Sequence, residues 1–472
     1  MNYWLFRFSG LLSLMFLLVL RPFPGSAQST VTLNLIGRMW FPSNLNGCFS
    51  ADTSGGSDVW GYAAPDGREY ALMGVRDGLA VVAVPEMQLV DLVPGPTQQD
   101  CFYHRDIKTY RHYAYVVSEM RGTNEGLMIV DLSPLPDSVR FVRSYIHGQD
   151  IRSHNLSIDT TRGFAYILKQ NYSGFRIVDL SDPENPVDVG QVLTPDIHDV
   201  YADHDTVFVA EGNAGSFSIY DVSDKTNPVL LARVQIPNAG YVHNIWANPQ
   251  RTLAMTTEET TGKTVKLWDI SDLSQITLLG EYLAPNQLAH NTHLKGGYAY
   301  ISHYTYGVVV VDIHDPLNPV EVARYDTYPK NDDPAFRGCW GAYPFSPGGY
   351  LFASDIEGFL TVLQVNIVPT GIVEEPHPAP ERFSLSQNFP NPFNPRTGVV
   401  LTVPAAGQVE VSVFNSTGQR IATLYSGRLP AGSHRFDWDG TDRRGQSQPS
   451  GIYLLRARWQ GQQVVRKMLL LR

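Results

Sequence analysis

The sequence predicts an all-β chain: a seven-bladed β-propeller closed by an N-terminal strand, followed by a small Ig-like C-terminal β-sandwich. Three observations carry this. One strand type recurs seven times, as LAVVAV at 79, LMIVDL at 127, FRIVDL at 175, FSIYDV at 217, VKLWDI at 265, VVVVDI at 308 and LTVLQV at 360. The starts lie 48, 48, 42, 48, 43 and 52 residues apart, room for four strands and their turns, and no 3.6-residue periodicity intervenes. Finally, VTLNLIGRM at 31 has the look of a fourth strand, whereas the last repeat lacks one, so the chain's two ends are expected to complete one blade and leave no open edge.

Composition agrees with many short strands and tight turns. Of 472 residues, 43% are apolar and 17% charged, with 40 Gly and 32 Pro. The net charge of −10, with no basic block, argues against nucleic acid as a partner.

The N-terminal stretch is read as a signal peptide over residues 1–27. An apolar run, Leu11 to Leu20, follows Arg7, then comes Pro-Phe-Pro, then Gly25 and Ala27 at the −3 and −1 positions of a cleavage site. That run is short for a membrane span, and no later segment reaches 18 unbroken apolar residues. A secreted or surface-attached chain without a transmembrane segment after processing is expected. Cys48, Cys101 and Cys339 match no zinc-finger spacing. Export permits a Cys48–Cys101 bridge, and buried free thiols are the alternative.

The propeller is assigned to residues 28–367. Asp179, Asp221, Asp269 and Asp312 end the third strands, and Ser181-Asp182, Ser223-Asp224 and Ser271-Asp272 begin the next turn. Such side chains accept nearby backbone N–H groups, so this recurrence is read as turn chemistry.

The first strand of each blade should line the axial channel. His154-Asn155, His198-Asp199, His243-Asn244 and His290-Asn291 start four of them; Arg105-Asp106, Cys339-Trp340 and, loosely aligned, Trp60-Gly61 start the others. Imidazoles at these starts are expected to face the channel mouth. Arg105, His154, His198, His243 and His290 are therefore the candidate ligand-binding residues. Three readings stand together: ties between neighbouring blades, a small anionic or polar ligand held by Arg105 and protonated His, or a divalent metal on the four imidazoles. No G-x-S-x-G elbow or H-E-x-x-H helix appears and no nucleophile–base–orienter set can be named, so no catalytic residue is assigned.

The IVDL-type strands followed by SDPENPV resemble LVIVD repeats. The wider pattern, including GREYALMGVRDG (67–78), RDIKTYRHYAYVVSE (105–119), SHNL (153–156), YVHNIW (241–246), HNTHLKGGYAY (290–300) and YPFSPGGYLFASDIEGFLTVL (343–363), is similar to the choice-of-anchor B family over about residues 31–366. That resemblance implies an exported propeller with a variable C-terminal anchor, and no reaction.

A Pro/Glu-rich linker is expected over 368–382. Residues 383–472 then alternate as sandwich strands. QNFPNPFNP, GSHRFDWDG, SGIYLLR and the terminal KMLLLR resemble the type A C-terminal sorting domain of type IX secretion cargo. Asn388, Pro390, Asn391, Pro392, Phe393, Asn394, Pro395 and Lys467 carry that motif. The resemblance implies the type IX machinery as a partner, a Bacteroidota-like source, and surface attachment or release. DWDGTDRRG lacks the ligand spacing of a calcium loop and is read as a hairpin. The expected role is binding an external glycan, peptide or protein; a propeller enzyme, a metal-binding protein on the His ring and a structural surface-layer component are the alternatives.

Overall fold

The computed structural model describes residues 29–43, 55–96, 104–120, 126–146, 148, 151–194, 196–369, 382–388, 391–429 and 432–471. The signal-peptide reading, most of the linker, Cys48, Cys101 and Pro390 lie outside the described residues. The chain separates into two compact units, Met1–Thr370 and Gly371–Arg472.

In the first unit the described residues form seven four-stranded antiparallel sheets, six of them consecutive in sequence. The seventh is discontinuous: Ser29–Trp40 pairs with Phe359–Pro369, whose sheet continues through Tyr350–Asp355 to Cys339–Tyr343. This is the closure that the ends of the sequence predict. The inner strands of blades 1 to 7 are Gly56–Ala63, Arg105–Tyr110, Leu156–Asp159, Asp199–Asp203, Val242–Ala247, Thr292–Lys295 and Cys339–Tyr343. Each contacts the next, and the seventh contacts the first, so the ring is closed.

The period-2 alternation of strand side chains explains the packing. In the third strand of blade 2, Met128 and Val130 join the core shared with blade 1, whereas Leu127 and Ile129 join the core shared with blade 3. Every blade interface has such an apolar cluster. Each fully buried aliphatic side chain contributes roughly 1.5–3 kcal/mol, so these dry interfaces outweigh the polar contacts in holding the ring. The third strands are apolar on both faces because both faces are covered.

The aspartates at the blade edges act as the sequence suggests. Ser181, Ser223, Ser271 and His314 donate their backbone N–H to the Oδ1 of Asp179, Asp221, Asp269 and Asp312 at 2.7–2.9 Å. Asp182, Asp224 and Asp272 accept the N–H of Glu184, Thr226 and Ser274 in the same way.

In the second unit, a three-stranded sheet and a four-stranded sheet share one apolar core that includes Phe393, Trp438, Tyr453 and Trp459. The FNP stretch is stitched to the last strand: Phe393 donates its N–H to the Leu469 carbonyl and accepts from Leu471 N–H, and Asn391 Oδ1 accepts from Leu469 N–H. The segment Asp439–Gly445 is a hairpin, with Asp442 accepting from Arg444 and Gln446 N–H.

The closing strand places Val31 in the core between blades 6 and 7, 5% exposed, while Thr32 points to solvent. Val31→Asp should cost about 3 kcal/mol, because a charge enters a dry interface. Thr32→Asp should change little. Urea midpoints of the two variants check this.

Candidate functional site

A propeller's inner strands carry backbone groups at the axis with no further strand to pair them. Here the second residue of the inner-strand motif takes that role. Asp58, Asp106, Asn155 and Asn244 accept the N–H of Ile107, Leu156, Val200 and Thr292, each on the next blade, at 2.8–3.2 Å. Asp199 instead accepts from Asn244 Nδ2 at 3.0 Å. These residues are therefore ties between blades. Lys108 Nζ sits among them, 2.5 Å from Asp106 and 3.1 Å from Asp58, and the two carboxylates raise its pKa against the opposing effect of burial.

The first motif residues form the ring that the sequence anticipates, with changes. His154, His198, His243 and His290 come together with ring centroids 4.2, 3.9 and 4.3 Å apart in that order. Trp340 follows His290 at 4.3 Å, and His104 closes the circuit, 5.6 Å from Trp340 and stacked on His154 at 4.2 Å. Five imidazoles and one indole thus enclose the axis. Blade 1 contributes Ser57 at this position, a side chain that bonds the Arg105 backbone instead of entering the ring.

Arg105 is not on the axis. Its guanidinium turns back between blades 1 and 2, where Nη1 donates to the carbonyls of Val75 and Arg76 at 3.2 Å, and the residue is 1% exposed. The preceding residue, His104, takes the axial place. The ring also lies inside the channel and not at an open mouth: His198, His243 and His290 are 6%, 2% and 1% exposed.

Two glutamates, absent from the sequence-derived set, back the ring. Glu119 follows the second strand of blade 2 (Tyr113–Ser118), and Glu259 follows that of blade 5 (Leu253–Glu258). Glu119 Oε2 is 3.0 Å from His154 Nδ1 and Glu119 accepts the Tyr172 hydroxyl. Glu259 accepts the Tyr304 hydroxyl and lies 3.9 Å from the Nε2 atoms of both His243 and His290. Their only hint in the sequence is a Glu immediately past a second strand.

Charge follows burial. Burial, then the neighbouring His154, pulls His104 down to about 3. Burial pulls His290 down to about 3 despite its bond to the Trp340 carbonyl, and pulls His243 well below the free value together with His198 and His290. His154 is the exception: burial lowers it, but the Glu119 carboxylate outweighs that and raises it, while depressing Glu119 in return. Burial raises Asp199, yet the His198 and Asn244 donors hold it at about 2. Burial raises Glu259, and the Tyr304 hydroxyl offsets only part of that. The ring therefore presents mostly neutral imidazoles. With the Arg105 guanidinium turned back to the carbonyls of Val75 and Arg76, the anionic-ligand reading loses the arginine it named.

One nitrogen of some imidazoles is already committed. His198 Nδ1 lies 3.1 Å from the His243 carbonyl and His290 Nδ1 lies 2.6 Å from the Trp340 carbonyl, contacts that make both rings Nδ1–H donors to the next blade. The enclosed space is only about 30 Å³, room for an ion or one or two waters.

Three residues further along the inner strands, Trp60, Lys108, Ser157, Tyr201, Trp246, His293 and Tyr343 occupy the equivalent place in the seven blades. This second layer is rich in aromatic residues. Tyr201 stacks on Trp246 at 4.0 Å, Trp246 on Phe345 at 5.6 Å, and Trp60 packs on Tyr343 at 4.9 Å. A cleft of about 300 Å³ opens beside them, with Thr109, Thr160 and Asp203 among its polar lining.

The sequence comparisons map onto these blades. Residues 103–145, 157–194, 197–235 and 288–327 match the LVIVD repeat. Four of the seven blades match LVIVD repeats. Residues 396–462 match the FlgD Ig-like domain, in keeping with the C-terminal sandwich. No curated protein matches the chain. A solved structure titled "Structure of U3-55K" is similar over 71% of this chain and 98% of its own, at 9% identity and a TM-score of 0.49. Blades 1 and 5 share the consecutive four-strand topology of the LVIVD blades, and blade 7 has the same strand pairing with its fourth strand drawn from Ser29–Trp40, so the repeat is a blade and its recurrence builds the ring.

The His154–Glu119 pair predicts a pH signature. Glu119 is depressed below 4.5, so its contribution to stability is present above that value and fades as pH falls. His154 is raised above 6.5, so its contribution is complete below that value and fades as pH rises through the raised pKa. The melting-temperature difference between wild type and Glu119→Gln should therefore peak between about pH 4.5 and 6.5 and shrink on both sides. A flat difference would mean the pair does not form.

Proposed function

We propose that the chain is an exported binding protein, whose propeller takes a glycan at the aromatic mouth and whose C-terminal sandwich directs its secretion. The observation that carries the binding reading is the half-buried aromatic layer of Trp60, Tyr201, Trp246, Tyr343 and Phe345 beside a polar-rimmed cleft. Sugar rings offer one apolar C–H face and a rim of hydroxyls. Aromatic faces cover the first, and Thr109, Thr160 and Asp203 can bond the second. A rigid ring with a preformed cleft loses little freedom on binding.

The export reading rests on the N-terminal stretch and on the resemblance to type IX sorting domains. The FlgD Ig-like match supports the sandwich type. Support also comes from the FNP stretch and the KMLLLR strand, which the resemblance names together and which bond to each other through Phe393, Asn391, Leu469 and Leu471. The wider likeness to the choice-of-anchor B family points to the same surface location. Among the described residues, no helix is long and apolar enough to cross a membrane.

Glycan-array binding should be seen with the full chain, and a hit should quench or enhance tryptophan fluorescence, since Trp60 and Trp246 line the cleft. Trp246→Ala should weaken that glycan by at least about tenfold, the cost of losing a central aromatic contact. Peptide binding without glycan binding would replace the ligand class; unchanged affinity in the variant would move the site. Separately, deleting residues 383–472 should strand the propeller in the periplasm, and continued surface delivery would remove the sorting role.

A further inference from the structure

The His ring holds a donor set that neither blade packing nor the aromatic mouth explains. Among the described residues, three groups of side chains bring ligand atoms within 4.8 Å of one another: His104, Glu119 and His154; His154, His198 and His243; and His243, Glu259 and His290. The first group already spends its carboxylate on an internal ion pair, Glu119 with His154 at 3.0 Å. The second contains no carboxylate. The third is different in every respect that matters to a cation.

In that group His290 is 1% exposed, and its Nε2 has no hydrogen-bond partner. Glu259 Oε1 is 3.9 Å from it, beyond hydrogen-bond reach, and the other carboxylate oxygen is 3.9 Å from His243 Nε2. Two imidazoles thus aim at one carboxylate from separate sides without bonding it. The orientation is fixed from behind: His290 Nδ1–H bonds the Trp340 carbonyl, and the Tyr304 hydroxyl pins Glu259 Oε1. This backing, a carbonyl on the far nitrogen and a donor on the carboxylate, is the arrangement that orients metal ligands.

The electrostatics agree. His290 gives its Nδ1–H to the Trp340 carbonyl, which leaves the lone pair on its unpartnered Nε2. Glu259 is partly buried, its side chain 17% exposed, and the Tyr304 hydroxyl is its strong partner, so its carboxylate gives up part of its hydration. A cation would relieve that cost. Donors in a tetrahedral site with 2.0–2.1 Å bonds stand about 3.3 Å apart, so an ion would draw these atoms together by less than a side-chain rotamer change.

We propose that His243, His290 and Glu259 form a site for one divalent first-row transition ion of the zinc class, on the axis of the propeller. The two imidazole Nε2 atoms and a Glu259 oxygen are its protein ligands, and Tyr304 is a positioning residue. Two nitrogens and one carboxylate oxygen suit zinc and its neighbours and are poor ligands for calcium or magnesium, which prefer oxygen donors throughout. The proposal goes beyond the glycan reading and does not depend on it, since it uses a different layer of the channel.

The test uses the full chain, stripped with chelator and titrated with Co²⁺ as a coloured stand-in for Zn²⁺. About one equivalent should produce ligand-field absorption, and Zn²⁺ should displace it. Glu259→Gln, which keeps size and shape, should weaken Co²⁺ by more than about 100-fold. Tyr304→Phe, which keeps the packing and removes only the hydroxyl, should weaken it by roughly 10–100-fold, as loss of a supporting contact does. Glu119→Gln, across the ring, should bind as wild type does. Circular dichroism confirms that each variant is folded, and if Glu259→Gln does not fold, Tyr304→Phe against Glu119→Gln decides. Absence of the absorption band in the stripped wild type overturns the proposal. So does a Co²⁺ affinity that Glu119→Gln lowers and Glu259→Gln or Tyr304→Phe does not, which would assign the ion to the opposite triad.

Discussion

Everything at the centre of this propeller follows from one shortage: seven inner strands bring backbone N–H groups to the axis, and no strand remains to pair with them. The chain meets that shortage with side chains. An Asn or Asp on one blade accepts the N–H of the third motif residue on the next, at Asp58, Asp106, Asn155 and Asn244. A buried N–H left without a partner costs roughly 1–3 kcal/mol, so each latch is worth keeping although the apolar clusters between blades dominate the total. The latches occupy one layer of the channel and leave the layers on either side free to differ.

Those layers do differ. On one side the blades contribute imidazoles that stack on each other, and burial pulls His104, His243 and His290 below the free value while Glu119 raises His154. On the other they contribute Trp60, Tyr201, Trp246, His293 and Tyr343, with Lys108 held between Asp58 and Asp106. A single repeated strand therefore supplies a tie, a ring of lone pairs and an aromatic platform at successive positions. The binding proposals for the two layers are separate because the latch layer separates them.

The blades were legible in the sequence because the third strand is covered on both faces and must be apolar throughout, as in VVVVDI. Closure was legible because Ser29–Trp40 and the last repeat were each incomplete alone. The axial histidines were legible because four inner strands begin alike. Arg105 misled because, although blade 2 keeps the register of its latch Asp106, the guanidinium turns back to the carbonyls of Val75 and Arg76 and the preceding His104 takes the axial place. Trp340 fills a place that no histidine marks, packing on His290 and on His104. Glu119 and Glu259 were not legible, since they follow second strands and meet the ring only through the third dimension. The same is true of the neutral state of the imidazoles, which depends on how deeply the ring is sealed.

An oriented ring with His104 and His290 neutral is the central claim, and nitrogen-resolved NMR of the histidine side chains in metal-free protein tests it most directly. The account predicts the Nδ1–H tautomer for His198 and His290, and no protonation of His104 or His290 until the pH falls to about 3. Titration of these rings near 6.5, the value of free imidazole, or an Nε2–H tautomer at His290, would contradict it.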